Sequence, residues 1–313
     1  MRISPSTTMS PSRTSRRLSR SSLAGLALLA TPAWGDPGAL VLRQVRPSLA
    51  DPAVRQFDEP SVAITAKAMP ADAPLVVFLP GTGGKPENAL PALRVAAQQG
   101  YRVLGLEYDD DPAVVQVCPR DPDPACSADF REMRLTGGGR STTVANPTAE
   151  AIVPRLVAAL RLLAKVAPDE GWGRYLDSDQ PRWSEILVSG LSQGAGMAAY
   201  IAKQHAVRRV VLFSSPWDFT GPERRPAPWL YPTGATPVER WYAEYNTREN
   251  TVPLIRAAYA ALKIPRDHIR VFALDLPAGR QFNGPNPYHG ITIHDLRYTP
   301  DWQAMFGKGI DAP

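Results

Sequence analysis

The chain has 313 residues, 44% of them hydrophobic and 21% charged, which is enough to bury the core of one sizeable globular domain. Its formal net charge of +5 comes from five arginines in the first 35 residues, a segment without acidic residues: Arg2, Arg13, Arg16, Arg17 and Arg20. Without those five of its 35 basic residues, the chain carries 30 basic and 30 acidic residues and no Lys/Arg-rich run, which argues against a nucleic-acid-binding surface.

The first 35 residues are typical of an export signal. Arginines precede the short apolar run LAGLALLA at residues 23–30, and Ala33-Trp34-Gly35 offers small residues for a signal peptidase. That run is too short for a membrane helix, which needs about 20 apolar residues, and no later stretch comes close. We therefore predict a signal peptide over residues 1–35, exported by the Sec or the twin-arginine route, and a single secreted or periplasmic domain over residues 36–313, without a transmembrane segment.

Residues after 62 alternate between strand and helix patterns. Helical spacing of apolar residues covers 87–101 and 156–167. The strand patterns are VAITAK at 62–67, LVVFLP at 75–80, RVLGLEY at 102–108, EILVSG at 185–190, RVVLFSS at 209–215 and IRVFALD at 269–275. Continuous apolar runs separated by helices predict an α/β fold, with a mostly parallel sheet between two helix layers.

The two cysteines, Cys118 and Cys126, lie in the turn-rich stretch CPRDPDPAC. In an exported protein this spacing predicts a local disulfide, with two free thiols or half of a metal site as alternatives. Four scattered histidines and one short cysteine loop do not form a metal-ligand set, so we predict no metal and no cofactor.

Gly190-Leu191-Ser192-Gln193-Gly194 fits the G-x-S-x-G pattern, in which a sharp strand-to-helix turn exposes a nucleophilic serine. A buried strand precedes the motif and a helix of small residues follows it, which is the required context. The carboxyl ends of parallel strands are also where reactive groups gather. We therefore predict that Ser192 is a nucleophile, although a tight turn with an unreactive serine remains the alternative.

A serine nucleophile needs a base, usually histidine. His205 and His268 lie at the wrong ends of their elements. His289 follows a Gly/Pro/Asn loop after the last predicted strand, whereas His294 lies in the alternating stretch ITIHD. Catalytic groups favour loops on a rigid scaffold, so we predict that His289 is the base.

The acid that orients this histidine has two candidates, Asp218 and Asp275. Asp218 lies in the proline-containing loop SSPWDF after the strand at 209–215, and Asp275 ends the strand at 269–275. Both give the chain order Ser, Asp, His. We select Asp218 because its loop is bent by proline.

A tetrahedral intermediate also needs backbone N–H donors for its oxyanion. One is expected from Gln193, directly after the serine, and the other from Thr82 or Gly83 in PGTGG, with Thr82 preferred. A phosphate-binding loop is excluded there because Pro86 follows Lys85 in place of the required Ser or Thr.

About fifty residues separate the strands at 209–215 and 269–275, long for a connection. Within them we predict a cap-like insertion over about 219–262 that places an aromatic pocket above Ser192. Its aromatic residues are Trp229, Tyr231, Trp241, Tyr242 and Tyr245. The spacing of Trp241 and Tyr245 favours one helical face, and packing against the body is the alternative role of these side chains. As a pocket, they predict a preference for medium apolar acyl chains.

The segments VVFLPGTGG, SGLSQGAG, FSSPWD and PYHG resemble those of the α/β-hydrolase superfamily, particularly secreted bacterial esterases of the lipase and cutinase type. The resemblance covers roughly residues 62–305. It implies an α/β-hydrolase sandwich and a cofactor-free hydrolase that cleaves small or lipid-like carboxylic esters through an acyl-serine. The cutinase-like layout would favour Asp275 as the acid. A non-catalytic binding protein and a serine peptidase or amidase are the competing functions.

Overall fold

The computed structural model describes residues 39–278 and 286–309. Its centre is an eight-stranded sheet in the order β1-β2-β4-β3-β5-β6-β7-β8, counting only the strands of this sheet. They are β1 Leu40–Val45, β2 Ser61–Ala66, β3 Leu75–Leu79, β4 Arg102–Gly105, β5 Ile186–Leu191, β6 Arg209–Phe213, β7 Trp241–Asn246 and β8 Ile269–Phe272. Strand β2 runs antiparallel to both β1 and β4, and the remaining pairs are parallel. The predicted α/β architecture is confirmed.

Nine helices connect and cover the described strands. They are α1 Pro47–Ala50, α2 Leu90–Gln98, α3 Val114–Val117, α4 Cys126–Thr136, α5 Ile152–Val166, α6 Gln193–Gln204, α7 Val252–Ala261, α8 Pro287–Gly290 and α9 Thr299–Phe306. Helices α2 and α9 pack on one face of the sheet, and α4, α5, α6 and α7 contribute to the core on the other. Together they make a three-layer sandwich.

Strand β3 shows why the sequence pattern produces this arrangement. All five of its residues are buried, and because side chains alternate along a strand, Val77 and Leu79 enter one core while Val76 and Phe78 enter the other. At about 25 cal/mol per Å² of buried apolar surface, such double-sided burial makes the central strands the most stabilising part of the sheet. A strand that is buried on both faces needs apolar residues at successive positions, which is why the sequence shows continuous apolar runs.

The segment 219–262 differs from the predicted cap. It begins with a short hairpin that pairs Phe219–Thr220 with Arg225–Pro226, but it then supplies β7 and α7 to the sandwich. Trp241 and Tyr245 therefore lie in a strand, not on one helical face. Aromatic residues favour strands, and this preference outweighed the i, i+4 spacing. The second half of the segment belongs to the body of the fold.

Outside the sheet, a disulfide joins Cys118 to Cys126, as predicted. Over residues 39–278 and 286–309, no helix combines the length and apolar character needed to cross a membrane. The predicted export signal lies outside the described residues.

Candidate active site

Ser192 occupies the sharp turn between β5 and α6. Its φ and ψ are 56° and −121°, values that a residue with a side chain rarely adopts and that cost of order 1–3 kcal/mol. A backbone hydrogen bond from Ser192 N to the Phe213 carbonyl, 3.0 Å, and one from Gly196 N to the Ser192 carbonyl, 3.1 Å, hold the turn. The backbone is thus held in the form that lifts a nucleophile above the sheet.

The two motif glycines are required by space. A Cβ at Gly194 would lie 2.0 Å from the Leu79 carbonyl oxygen, and a Cβ at Gly190 would lie 2.4 Å from the Gly194 carbonyl carbon. Their absence of a side chain lets α6 start directly against the end of β3. Since Leu79 pairs with Gly190 in register, the turn that follows β3 is placed beside Ser192.

Ser192 opens into a cleft of about 160 Å³ that also contains His289. Apolar side chains line part of it, namely Phe78, Pro80, Leu191 and Ile293; the other lining residues are Gly81, Thr82, Gly84, Lys85, Asn88 and His294. Lys85, on the rim, is paired at 3.1 Å with Glu59. The cleft therefore brings together the predicted nucleophile, the predicted base and the predicted oxyanion loop.

His289 is oriented by Glu249, a residue that the sequence reasoning missed. The Nδ1 atom of His289 lies 2.6 Å from Oε2 of Glu249, whose side chain is fully buried. The other oxygen, Oε1, accepts hydrogen bonds from the Asn246 N–H at 2.9 Å and from the Ser214 hydroxyl at 2.6 Å. With Nδ1 donating to this carboxylate, Nε2 carries the lone pair that a general base needs.

Asp218 lies elsewhere and has other partners. It forms a buried bidentate ion pair with Arg131, at 2.7 and 2.5 Å, and accepts a 3.0 Å hydrogen bond from Trp229 Nε1. Gly196 leaves room for this pair, because a Cβ there would lie 2.1 Å from Arg131 Nη2. The structure thus pairs Asp218 with Arg131 and places Glu249, not Asp218, against His289.

The second candidate acid, Asp275, is a surface residue. Its side chain is 84% exposed and pairs with Arg248. Of the other histidines, His205 stacks on Trp183 and His268 stacks on Tyr242. Neither belongs to the residues that line the cleft.

Both predicted oxyanion donors border the serine. Gln193 is the first residue of α6, and Thr82 lies in the turn closed by the 2.7 Å hydrogen bond from Gly84 N to the Gly81 carbonyl. The Gly83 N–H is directed to the Asp110 carboxylate at 3.2 Å. That engagement favours Thr82 over Gly83 as the second donor.

Comparison with known proteins gives structural likeness only at low sequence identity. No protein-family profile and no curated protein matches the chain. A bacterial heroin esterase is similar with a TM-score of 0.46 and 14% identity, covering 88% of this chain and 86% of its own. An esterase of the bacterial hormone-sensitive lipase family gives 0.44 and 17%, covering 86% and 85%. Thermogutta terrifontis esterase 2 gives 0.45 and 13%, covering 85% and 95%.

The order of the sheet, its antiparallel second strand and the serine turn after the fifth strand decide the fold. The chain has the α/β-hydrolase fold. One fold supports many activities, so the activity of this α/β-hydrolase fold rests on its own site residues.

Two acidic residues, Glu107 and Asp110, lie beside the predicted oxyanion loop. Burial raises the pKa of Asp110 to about 7, and burial followed by repulsion from Asp110 raises the pKa of Glu107 to about 8. One carboxylate oxygen of each has no hydrogen-bond partner among the residues described. Both groups follow β4, which ends at Gly105, and no sequence motif marks them: Glu107 falls in the predicted strand at 102–108 and Asp110 lies just after it.

This pair predicts a pH-dependent stability. Both carboxyl groups bind their protons more tightly in the folded chain than in the unfolded chain, whose values lie near 4. The contribution of these two groups to the unfolding free energy is therefore complete below about pH 4 to 5. It is lost progressively as the pH rises to about 8. We expect the unfolding free energy, measured by urea titration, to fall by about 6 kcal/mol between pH 5 and pH 8, at about 1.4 kcal/mol for each group per pH unit over which it stays protonated only in the folded chain.

Glu107→Gln with Asp110→Asn should flatten this slope while the asparagine still accepts the Gly83 N–H. The exposed Asp169→Asn variant, a matched surface control, should leave the slope unchanged. If the unfolding free energy fell equally with pH in the double variant and the wild type, the two carboxyl groups would not be its cause.

Proposed function

We propose that this protein is a serine hydrolase that cleaves carboxylic esters through an acyl-serine intermediate. The observation that carries the proposal is the 2.6 Å contact between the buried carboxylate of Glu249 and His289, a residue that lines the same cleft as Ser192. Ser192 would attack the ester carbonyl as Nε2 of His289 takes its proton, and Glu249 would stabilise the imidazolium. The N–H groups of Thr82 and Gln193 would receive the oxyanion.

The size and lining of the cleft support a small neutral substrate. A cavity near 150 Å³ holds about one benzene molecule, which corresponds to an acyl group of up to about six carbons. The described residues that line the cleft do not include the aromatic residues Trp229, Tyr231, Trp241, Tyr242 and Tyr245. We therefore do not propose an acyl pocket built from those aromatic residues. We do propose a preference for short to medium acyl chains.

A competing function is that of a binding protein without catalysis. The strained serine turn and the buried Glu249 favour catalysis, because a binding site needs neither. A peptidase or amidase with the same residues is the other alternative. Secretion or periplasmic location, through the predicted signal at residues 1–35, belongs to the proposal and not to the described structure.

Reaction with a fluorophosphonate probe tests the proposal directly, since the probe labels only an activated serine. We expect one label on Ser192 and turnover of p-nitrophenyl esters that peaks at acyl chains of about four to six carbons and falls steeply beyond about eight. Matched anilides, with the same acyl groups, should react far more slowly. An unlabelled protein would indicate the binding function, and faster anilide cleavage would indicate an amidase.

A further inference from the structure

A second buried carboxyl group lies behind Glu249 and takes no part in the proposed triad. Glu244, on β7, is fully buried. The hydroxyl of Ser214 lies between the two acids, 2.6 Å from Oε1 of Glu249 and 3.2 Å from Oε1 of Glu244. The side chains thus form a continuous chain from His289 through Glu249 and Ser214 to Glu244.

The number of protons available sets the direction of these hydrogen bonds. A serine hydroxyl has one proton and two lone pairs. The shorter contact assigns that proton to Glu249, so the 3.2 Å contact with Glu244 is a full hydrogen bond only when Glu244 is the donor. A hydrogen bond of that direction exists only if Glu244 carries a proton of its own.

The surroundings of Glu244 favour the neutral form. Burial, and then the charge of Glu249, raise the pKa of Glu244 well above its ordinary value. Its Oε2 atom has no hydrogen-bond partner in the described part of the chain, although Thr292 lies beside the carboxyl group. Tyr259 on α7 donates to the backbone carbonyl oxygen of Glu244 at 2.7 Å, and Tyr298 lies nearby; burial raises the pKa of both phenols, so neither brings a charge to the carboxyl group. An ionised carboxylate left half-paired in this interior would be costly.

The backbone of Ser214 supports a specific role for this residue. Its φ is +52°, in the left-handed region that disfavours residues with a side chain, and it is fully buried. Its N–H donates to the Glu244 carbonyl oxygen at 3.1 Å, which fixes it at the end of β6. A strained position of this kind persists only where the surrounding contacts hold it, and here it sets the hydroxyl between the two acids.

We propose that Glu244 is a positioning residue: as a neutral carboxylic acid it donates to Ser214, and Ser214 in turn holds Glu249 charged and directed at His289. The inference rests on the proposed function, because it assigns a role to Glu244 within the same site. It acts through Glu249 and does not touch the substrate.

Infrared spectroscopy tests the protonation of Glu244 independently of activity. At neutral pH the difference spectrum of wild type minus Glu244→Gln should show the carbonyl stretch of one buried protonated carboxylic acid. Glu107→Gln with Asp110→Asn is the control that identifies the bands of the other two acids whose pKa is raised. If the Glu244→Gln difference spectrum shows the loss of a carboxylate band, Glu244 is ionised and the inference is wrong, whether or not the protein hydrolyses esters.

Kinetics test the positioning role. Glu244→Met removes the donor at similar volume and should lower kcat for a p-nitrophenyl ester about 10- to 100-fold with little change in KM. Glu244→Gln keeps an N–H donor and should recover most of that loss. The acidic midpoint of its kcat/KM profile should match that of the wild type, because no charge is removed. A midpoint lowered by about one pH unit in Glu244→Gln, or an unchanged kcat in Glu244→Met, would overturn the proposal.

A double-mutant cycle tests whether the effect passes through Ser214. In a Ser214→Ala background, Glu244→Met should change kcat less than about twofold, because the relay is already interrupted. Full additivity of the two substitutions would overturn the relay. Fluorophosphonate labelling of the wild type separates the outcomes, since an unlabelled wild type refutes the proposed function while the infrared result still decides the state of Glu244.

Discussion

Ser192→Ala is expected to lower the hydrolysis of p-nitrophenyl esters by about 10⁴- to 10⁶-fold, because loss of one member of a catalytic triad disables the whole unit. His289→Ala should be nearly as damaging. Both residues line one cleft, and His289 presents Nε2 while its Nδ1 is held by Glu249. The measurement is kcat/KM with an ester of four to six acyl carbons, together with the thermal transition of each variant.

The matched control for these variants is His294→Ala, which removes a second imidazole from the same cleft. Its effect on kcat should be mild. Thermal unfolding of Ser192→Ala should lie close to that of the wild type, since a hydroxyl and a methyl group occupy similar space. Retained turnover in Ser192→Ala, or a larger loss in His294→Ala than in His289→Ala, would show that the nucleophile or the base lies elsewhere.

Glu249→Gln is expected to reduce kcat by about 10³- to 10⁴-fold with little effect on KM. An amide in place of the carboxylate neither stabilises the imidazolium nor holds the tautomer in which Nε2 is unprotonated. The same change of acid to amide at Asp218 and Asp275 provides the comparison. Kinetic constants corrected for the folded fraction, and urea titrations, distinguish catalytic from structural effects.

Asp218→Asn should act on stability. It leaves the Arg131 guanidinium buried without its carboxylate, and breaking a buried pair from one side costs about 3–5 kcal/mol. Turnover per folded molecule should stay close to that of the wild type. Asp275→Asn should be silent in both measurements because that side chain is exposed. If Asp218→Asn lost turnover but kept its unfolding free energy, and Glu249→Gln kept its turnover, Asp218 would be the catalytic acid.

The layered architecture and the position of the serine turn follow from local patterns in the amino-acid sequence. Apolar runs such as 75–79 indicate a strand buried on both faces, and the turn at Ser192 needs glycine at 190 and 194, where a Cβ would clash with the backbone. The disulfide between Cys118 and Cys126 could be predicted in the same way, since only seven residues of turn-forming sequence separate the two cysteines. Each of these features depends on neighbours along the chain.

The contact between His289 and Glu249 could not be predicted from local sequence patterns. Strand β7 was not predicted, because the spacing of its aromatic residues also suits a helix. Glu249 could therefore not be recognised as a residue that follows a strand. Asp218 pairs instead with Arg131, which lies 87 residues earlier in the chain. Which carboxylate meets an imidazole depends on side-chain distances of a few ångströms between separate loops, and these are set by how β6, β7 and α8 pack together. Packing of this kind leaves no periodic or local pattern in the sequence.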